Sequence, residues 1–394
     1  MHAETKTTYR SFQYFYLTAF LSNGSLFPLL AVFLQEEKQL NSVLVGLIVA
    51  AIPLVNTVME PVWGLLSDYT RKPLRLLAAA LAAAAALAFI YLFYDHYALL
   101  LIGMLSIAVF QAAVIPLSDS MALGFVEQHK LVYGNIRLWG AIGFAVASFL
   151  MGYITDLAES LDWIFVAYGV CLLLALPALR KFPRQGYDIA AISMKEGLQT
   201  LRKNKPFLLF LASNFLIFGP ILANNFYFGT FILAAGGTLS AVGIAFFLGA
   251  GSEAPFMKLA HRIIGKMSIL HVVILSASVS GARWILYMFD PPLTVIFITT
   301  IIQGLSIGLY VPAALLYIRS AAPSSVQATA IALYSAVGTG LGNAFFNLIG
   351  GVVIETATVY HMYGLFAVTT FLGVGILFVV KRMTNALTGK RGIA

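Results

Sequence analysis

Five ionisable side chains, Glu60, Asp119, Arg137, Glu253 and Arg283, each fall inside a long apolar run of this sequence, and Glu355 stands near the end of another. If those runs cross a bilayer, a charge at its centre costs about 2.5–3.5 kcal/mol on insertion scales, so each group needs a partner or a wet cavity. The spacing offers pairs. Asp119 and Arg137 are 18 residues apart, on either side of a short basic turn, and Glu253 precedes Arg283 across the next basic turn of that kind. A carboxylate and a guanidinium at matched depth can lock two helices together, hold a ligand or exchange a proton. The last is open to them because desolvation and an approaching arginine both act on a carboxylate's charge. Glu253 is the leading proton carrier on this reading, Arg283 the group whose approach would switch it, and Asp119 the next carrier. Asn23, Asn224, Asn225, Tyr227, Gln303, Tyr310, Asn343 and Asn347 lie in similar runs. They can bind a polar solute or bridge helices, a bridge contributing about 1–2 kcal/mol or less.

The elements that must position these groups are membrane helices. Hydrophobic residues make up 60% of the 394 and charged residues only 10%, against roughly 25% charged in a soluble domain. Twelve stretches approach the roughly 20 apolar residues that a helical crossing needs. They are predicted near 12–34, 43–67, 75–94, 98–124, 137–158, 162–179, 207–234, 240–260, 268–289, 293–317, 327–355 and 362–380. The first is too long for a signal-peptide core and is read as an uncleaved first helix. Cys171 is the lone cysteine, which excludes an intramolecular disulfide. With both termini placed in the cytoplasm, all of the 24 Lys and Arg except Lys38, Arg137 and Arg283 lie inside, while Glu36, Glu37, Asp95, Asp156, Glu159, Asp162 and Asp290 lie outside. That asymmetry predicts the orientation and accounts for the +8 net charge without a nucleic-acid surface.

The chain is expected to divide into a six-helix bundle over 1–179, a cytoplasmic central loop over 180–206 and a second six-helix bundle with a cytoplasmic tail over 207–394. The halves repeat. EPVWGLLSDYTRKP runs from Glu60 to Pro73 and EAPFMKLAHRIIGKM from Glu253 to Met267, each with its glutamate eight residues before Asp68 or His261. Parallel repeats of this kind place a binding site between two rocking halves in many transporters. GLLSDYTRK resembles the loop signature of the major facilitator superfamily, although Tyr69 and Arg71 stand where that signature has Arg and Gly. PLSDSMALGFVEQHKLVYGNIRLWGAIGF from Pro116, SNGSLFPLLAVFL, GAGSEAPFM, GARW and QATAIALYSAVG are similar to the phenylpropionate-permease-like branch allied to lactose permease.

The resemblance implies an all-α fold of twelve transmembrane helices in two pseudo-symmetric bundles. It also implies proton-coupled symport, by alternating access, of a sugar, aromatic acid or nucleoside, with a proton gradient and no cofactor. Carried over by position, Asp119 accepts from solute hydroxyls, Arg137 is a planar donor fork for two hydroxyls or one carboxylate, and Phe144 stacks on the solute. Glu60, Asp68, Arg71 and Lys72 are expected at the inner gate. The His–Glu proton site of lactose permease does not transfer, because the tenth stretch holds neither His nor carboxylate. A proton-coupled exporter is the alternative, disfavoured because GAIGFAVASFLMGY lacks the Gly-Pro signature of that group. A membrane sensor or integral membrane enzyme is the alternative of another class. No P-loop, G-x-S-x-G, H-E-x-x-H or paired-cysteine spacing supports an enzyme. The expected partners are a small solute, a proton and the lipid bilayer. The expected form is a monomer in a bacterial-type inner membrane.

Overall fold

The computed structural model describes residues 3–183, 199–264, 266–323 and 326–391. Residues 184–198 of the predicted central loop lie outside the described residues, as do the side chains of Lys258 and His261 and residue Gly265 in the second copy of the repeat. Every described element is helical. The helices are α1 Ala3–Glu36, α2 Ser42–Thr70, α3 Pro73–Tyr91, α4 Tyr97–Gln128, α5 Tyr133–Ala158 and α6 Trp163–Ala175, which a 3₁₀ turn extends to Lys181. They continue with α7 Lys205–Ala234, α8 Leu239–Ile264, α9 Ile269–Met288 and α10 Leu293–Ala321. The last two are α11 Gln327–Thr356, with a π-helical stretch at Ala336–Gly342, and α12 Val359–Arg391. All twelve are long and apolar enough to cross a membrane. Val58, Leu157 and Val368 are among many large apolar side chains left exposed, a surface that suits hydrocarbon and not water.

Local signals set the helix ends. Asn41 caps α2 by accepting from Leu44 N at 2.9 Å. Arg71 closes the same helix in a left-handed conformation, φ 53°, its N–H donating to Ser67 O at 2.8 Å. Pro73 then opens α3, where a missing N–H costs nothing. Prolines also stand inside α1, α2, α4, α7, α8 and α10. A membrane helix tolerates them when its neighbours satisfy the freed carbonyls.

Two compact units result. The first comprises Met1–Ile189 with Asn225–Gly251, the second Ala190–Asn224 with Ser252–Ala394. The dividing line therefore cuts α7 and α8. In the first unit, α1 packs on α5 and α6, α2 on α4, and α3 on α4 and α6. The start of α8 joins that unit through a glycine crossing: a Cβ on Gly152 of α5 would sit 2.8 Å from Gly243 Cα. Beside it, Asp156 accepts from Ser240 Oγ at 2.6 Å, and Thr230 of α7 donates to Gln35 at 2.9 Å. The first unit's connections are tied at one end by the Lys38–Asp95 ion pair at 2.8 Å and by Leu161 N donating to Glu37 at 2.7 Å. In the second unit α9 packs on α10 and α12. There α7 meets α11 where Gly219 faces Gly342, and meets α12 where Gly373 faces Ile217.

Candidate functional site

In the first unit, α1, α4 and α5 gather a polar cluster around Asp119. Its Oδ1 accepts from the hydroxyls of Tyr16 and Tyr133, the latter at 2.8 Å. Arg137 does not form an ion pair with it; among the described residues the one ion pair within 4.0 Å is Lys38–Asp95. Instead the guanidinium lies over the Phe20 ring, 4.2 Å from its centroid, and 5.8 Å from that of Tyr16. Tyr16 thus serves both groups, its hydroxyl bound to the carboxylate and its ring facing the cation. Glycines make the approach possible. A Cβ on Gly143 would overlap Leu17 O, and one on Gly140 would come within 2.9 Å of the Phe20 ring. Small residues let two membrane helices close to contact distance, which here presses the aromatic stripe of α1 against Arg137.

That packing holds the arginine by its face and leaves its edge unused. None of its five N–H donors has an acceptor among the described residues, and the side chain is half-buried. A cation on a ring is worth roughly 0.5–2 kcal/mol, enough to orient the fork without occupying it. Phe144, two turns further along α5, is half-buried with its ring 6.4 Å from that of Phe246. Asn23 is 8% exposed and accepts from Gln111 at 2.8 Å. Asn225 is half-buried and Tyr227 fully buried in this same unit.

The second unit centres on Arg283, which is 4% exposed. One guanidinium nitrogen, Nη2, donates to Gln303 Oε1 at 2.9 Å and to the Tyr287 hydroxyl at 3.1 Å, and Tyr287 also meets Thr299 at 3.1 Å. The rings of Trp284 and Tyr287 lie 5.1 Å and 5.2 Å from the guanidinium. Its Nε is buried without a hydrogen-bond partner. Glu253 forms no ion pair with it in this structure. The carboxylate-bearing turn of α8 packs on α10 instead, where Ser252 meets Gly304 and Glu253 O would lie 3.0 Å from a Cβ on Gly308. Gln303, the residue before Gly304, thus lies on the helix that meets both the turn carrying Glu253 and Arg283.

The remaining candidates divide by surroundings. Tyr310 donates to Asn214 at 3.1 Å, and Asn214 donates to Tyr334 O at 3.2 Å, at the edge of the π-helical stretch. Asn224 is 1% exposed and accepts from Tyr363 of α12 at 2.8 Å, which ties it into packing. Asn343 accepts from Asn347 at 2.7 Å along its own helix. Glu60, Asp68, Arg71 and Lys72 are all exposed, and none is in an ion pair among the described residues. No three His, Cys, Asp or Glu side chains gather for a metal ion among the described residues. Tyr16, Phe20, Tyr133, Gln111, Tyr168 and Tyr287 are partners that the sequence reading missed. Of these, Tyr16 and Phe20 share the helical spacing of Asn23, Tyr133 stands four residues before Arg137 and Tyr287 four after Arg283, whereas Gln111 and Tyr168 carried no such signal.

Comparisons with known proteins bear on the family and the fold. The model of the family described as MFS_1 like family matches residues 9–365. A maltose permease of Geobacillus stearothermophilus is 43% identical over 371 residues, covering 94% of this chain and 94% of its own length. A probable 3-phenylpropionic acid transporter of Escherichia coli (strain K12) is 26% identical over 370 residues, covering 92% of this chain and 94% of its own. The crystal structure of the nucleoside transporter NupG superimposes with a TM-score of 0.82 at 14% identity, over 96% of this chain and 99% of that one. At that identity the likeness is one of fold.

Proposed function

We propose that this chain, which belongs to the MFS_1 like family and is a major facilitator transporter, takes up a small sugar by proton-coupled symport and alternating access. A transporter of this family needs no cofactor and performs no bond chemistry. The observation that carries the sugar reading is the pairing of an acceptor with an unoccupied donor fork. Asp119 offers oxygen to hydroxyls, and Arg137, seated on Phe20, has N–H groups with no acceptor among the described residues. Vicinal hydroxyls match a planar fork in spacing and direction, and the aromatic rings about the site suit the apolar face of a sugar. The 43% identity to a maltose permease supports the same class. A carboxylate also fits the fork, so an aromatic acid is the second reading, supported by the relative named for 3-phenylpropionic acid.

For coupling, Glu253 carries the proton and Arg283 is the switch. The hold of Gln303 and Tyr287 on Arg283 represents the arrangement in which the arginine has withdrawn from the carboxylate. Asn23 and Phe144 contact the solute, Glu60 and the 68–72 segment act at the inner gate, both termini are cytoplasmic, and the chain works as a monomer. The test is uptake into proteoliposomes of labelled maltose, 3-phenylpropionate and uridine, each with and without an imposed inward proton gradient. Maltose should be concentrated only when the gradient is present. Exchange of maltose that ignores the gradient refutes symport, and exchange of another solute alone refutes the sugar class.

A further inference from the structure

Asn23 stands on one stripe of α1 with Tyr16 and Phe20, at helical spacings of seven and three residues, and its amide is oriented from behind. Gln111 Nε2 donates to Asn23 Oδ1 at 2.8 Å, and Tyr168 donates its hydroxyl proton to Gln111 Oε1 at 2.6 Å. All three residues are buried, Tyr168 completely. The relay has one polarity. Tyr168 has a proton to place and no other acceptor in reach among the described residues. Its hydroxyl therefore claims the oxygen of Gln111, which sends the Gln111 nitrogen toward Asn23, and Asn23 must answer with oxygen. The Asn23 NH₂ is then directed away from the relay. It has no partner among the described residues, yet it is not one of the buried unpaired atoms, so it keeps accessible surface. A primary amide has two N–H donors to offer there.

We infer that Gln111 and Tyr168 are positioning residues that hold Asn23 as a hydrogen-bond donor toward the solute, so that this part of the first unit selects acceptor oxygens. The inference rests on the reading above that Asn23 contacts the solute. Turning the Asn23 amide over would require Gln111 to turn as well and would leave the Tyr168 proton unpaired in a buried site. Leaving a buried donor unmade disfavours that arrangement by on the order of tenfold or more. The donor pattern also matches the neighbourhood, since Arg137 on the same side of α1 presents donors only.

The experiment is a double-mutant cycle read by maltose exchange in proteoliposomes, with KM and kcat measured separately. Tyr168→Phe and Gln111→Leu should each raise KM roughly 3- to 10-fold, the range for one neutral hydrogen bond, and leave kcat unchanged. Asn23→Asp, which keeps the shape and removes the donors, should raise it at least as much. In an Asn23→Ala background, Tyr168→Phe should have no further effect, because a residue acting through Asn23 has nothing left to position. Tyr168→Phe keeps the buried ring, so it remains informative if Gln111→Leu fails to fold. An equal effect of Tyr168→Phe with and without Asn23 overturns the inference, as does an unchanged KM in Asn23→Asp. A wild type that ignores maltose but exchanges 3-phenylpropionate or uridine refutes only the sugar reading, and the cycle is then read with that solute. A wild type that exchanges none of the three overturns both.

Discussion

Replacing Gln303 by leucine separates substrate movement from proton coupling. In the wild type, Arg283 Nη2 donates to Gln303 at 2.9 Å and to Tyr287 at 3.1 Å. Leucine keeps the bulk and removes the acceptor. A hydrogen bond to a charged group contributes about 1.5–3 kcal/mol, and about 1.4 kcal/mol is a factor of ten. The arrangement described here should therefore lose roughly 10- to 150-fold in weight against one in which Arg283 reaches Glu253. The Tyr287 hydroxyl and the Trp284 and Tyr287 rings would remain to hold the arginine, whose Nε already lacks a partner. Trapped against Glu253, it would keep the carboxylate from cycling its proton. The expected outcome is maltose exchange at near the wild-type rate with steady-state accumulation under a proton gradient at least tenfold lower. Glu253→Gln should show the same separation, and the double variant should be no worse than either alone. Thermal unfolding of each purified variant controls for loss of fold. If Gln303→Leu concentrates maltose as the wild type does, Arg283 is not the switch. If it loses exchange as well, Gln303 serves the solute and not the coupling.

Other outcomes follow from the first unit and from the charge distribution. Arg137→Lys keeps the charge but loses the fork and the flat contact with Phe20, so maltose affinity by isothermal titration should fall tenfold or more. Asp119→Asn should weaken maltose binding more than 3-phenylpropionate binding, because only the hydroxylated solute needs the acceptor. Gly143→Val would drive α1 from α5 at Leu17 O. Transport should fall severely, and the unfolding temperature should drop by several degrees, as is typical of about 1–3 kcal/mol of overpacking. In a Cys171→Ser background, a cysteine at position 195 should be protected from an impermeant maleimide in intact cells and labelled after permeabilisation; labelling in intact cells reverses the orientation.

The twelve spans were legible because the length and apolar content of a crossing leave few alternatives. Their ends were less so. α1 begins at Ala3 and α12 continues to Arg391, since a helix can run on into water where hydropathy no longer reports it. At the Asp119 cluster the 18-residue spacing brings both members to one aromatic neighbour, and they share that neighbour without forming an ion pair. In a chain with 30 Phe and 18 Tyr, the spacing that aligns Tyr16 with Asn23 does not reveal that its hydroxyl binds Asp119 while its ring faces Arg137. Asn224 and Asn225 are indistinguishable by type, yet one is bound to Tyr363 in the second unit and its neighbour belongs to the first. Helical phase, not composition, decides such cases. Gly338, Gly340 and Gly342 follow closely on one another in the eleventh helix. They lie in the π-helical stretch, where a Cβ on Gly338 would collide with the Asn214 amide.

The near-absence of ion pairs among the described residues bears on how the protein should respond to salt. Asp119 is held by phenols, Arg137 by ring faces, and Arg283 by an amide and a phenol. Counter-ions weaken interactions between exposed opposite charges, whose reach shrinks from about 30 Å at 0.01 M to about 3 Å at 1 M salt. Contacts between an ion and a neutral dipole or ring are short-ranged and involve no opposite charge for counter-ions to screen. Solute affinity for a neutral sugar should thus be nearly flat with ionic strength. An anionic solute would experience the opposite, because an unneutralised arginine draws it from a distance that electrolyte shortens. Salt dependence of uptake is therefore a reading of the cargo's charge, available before the cargo itself is identified.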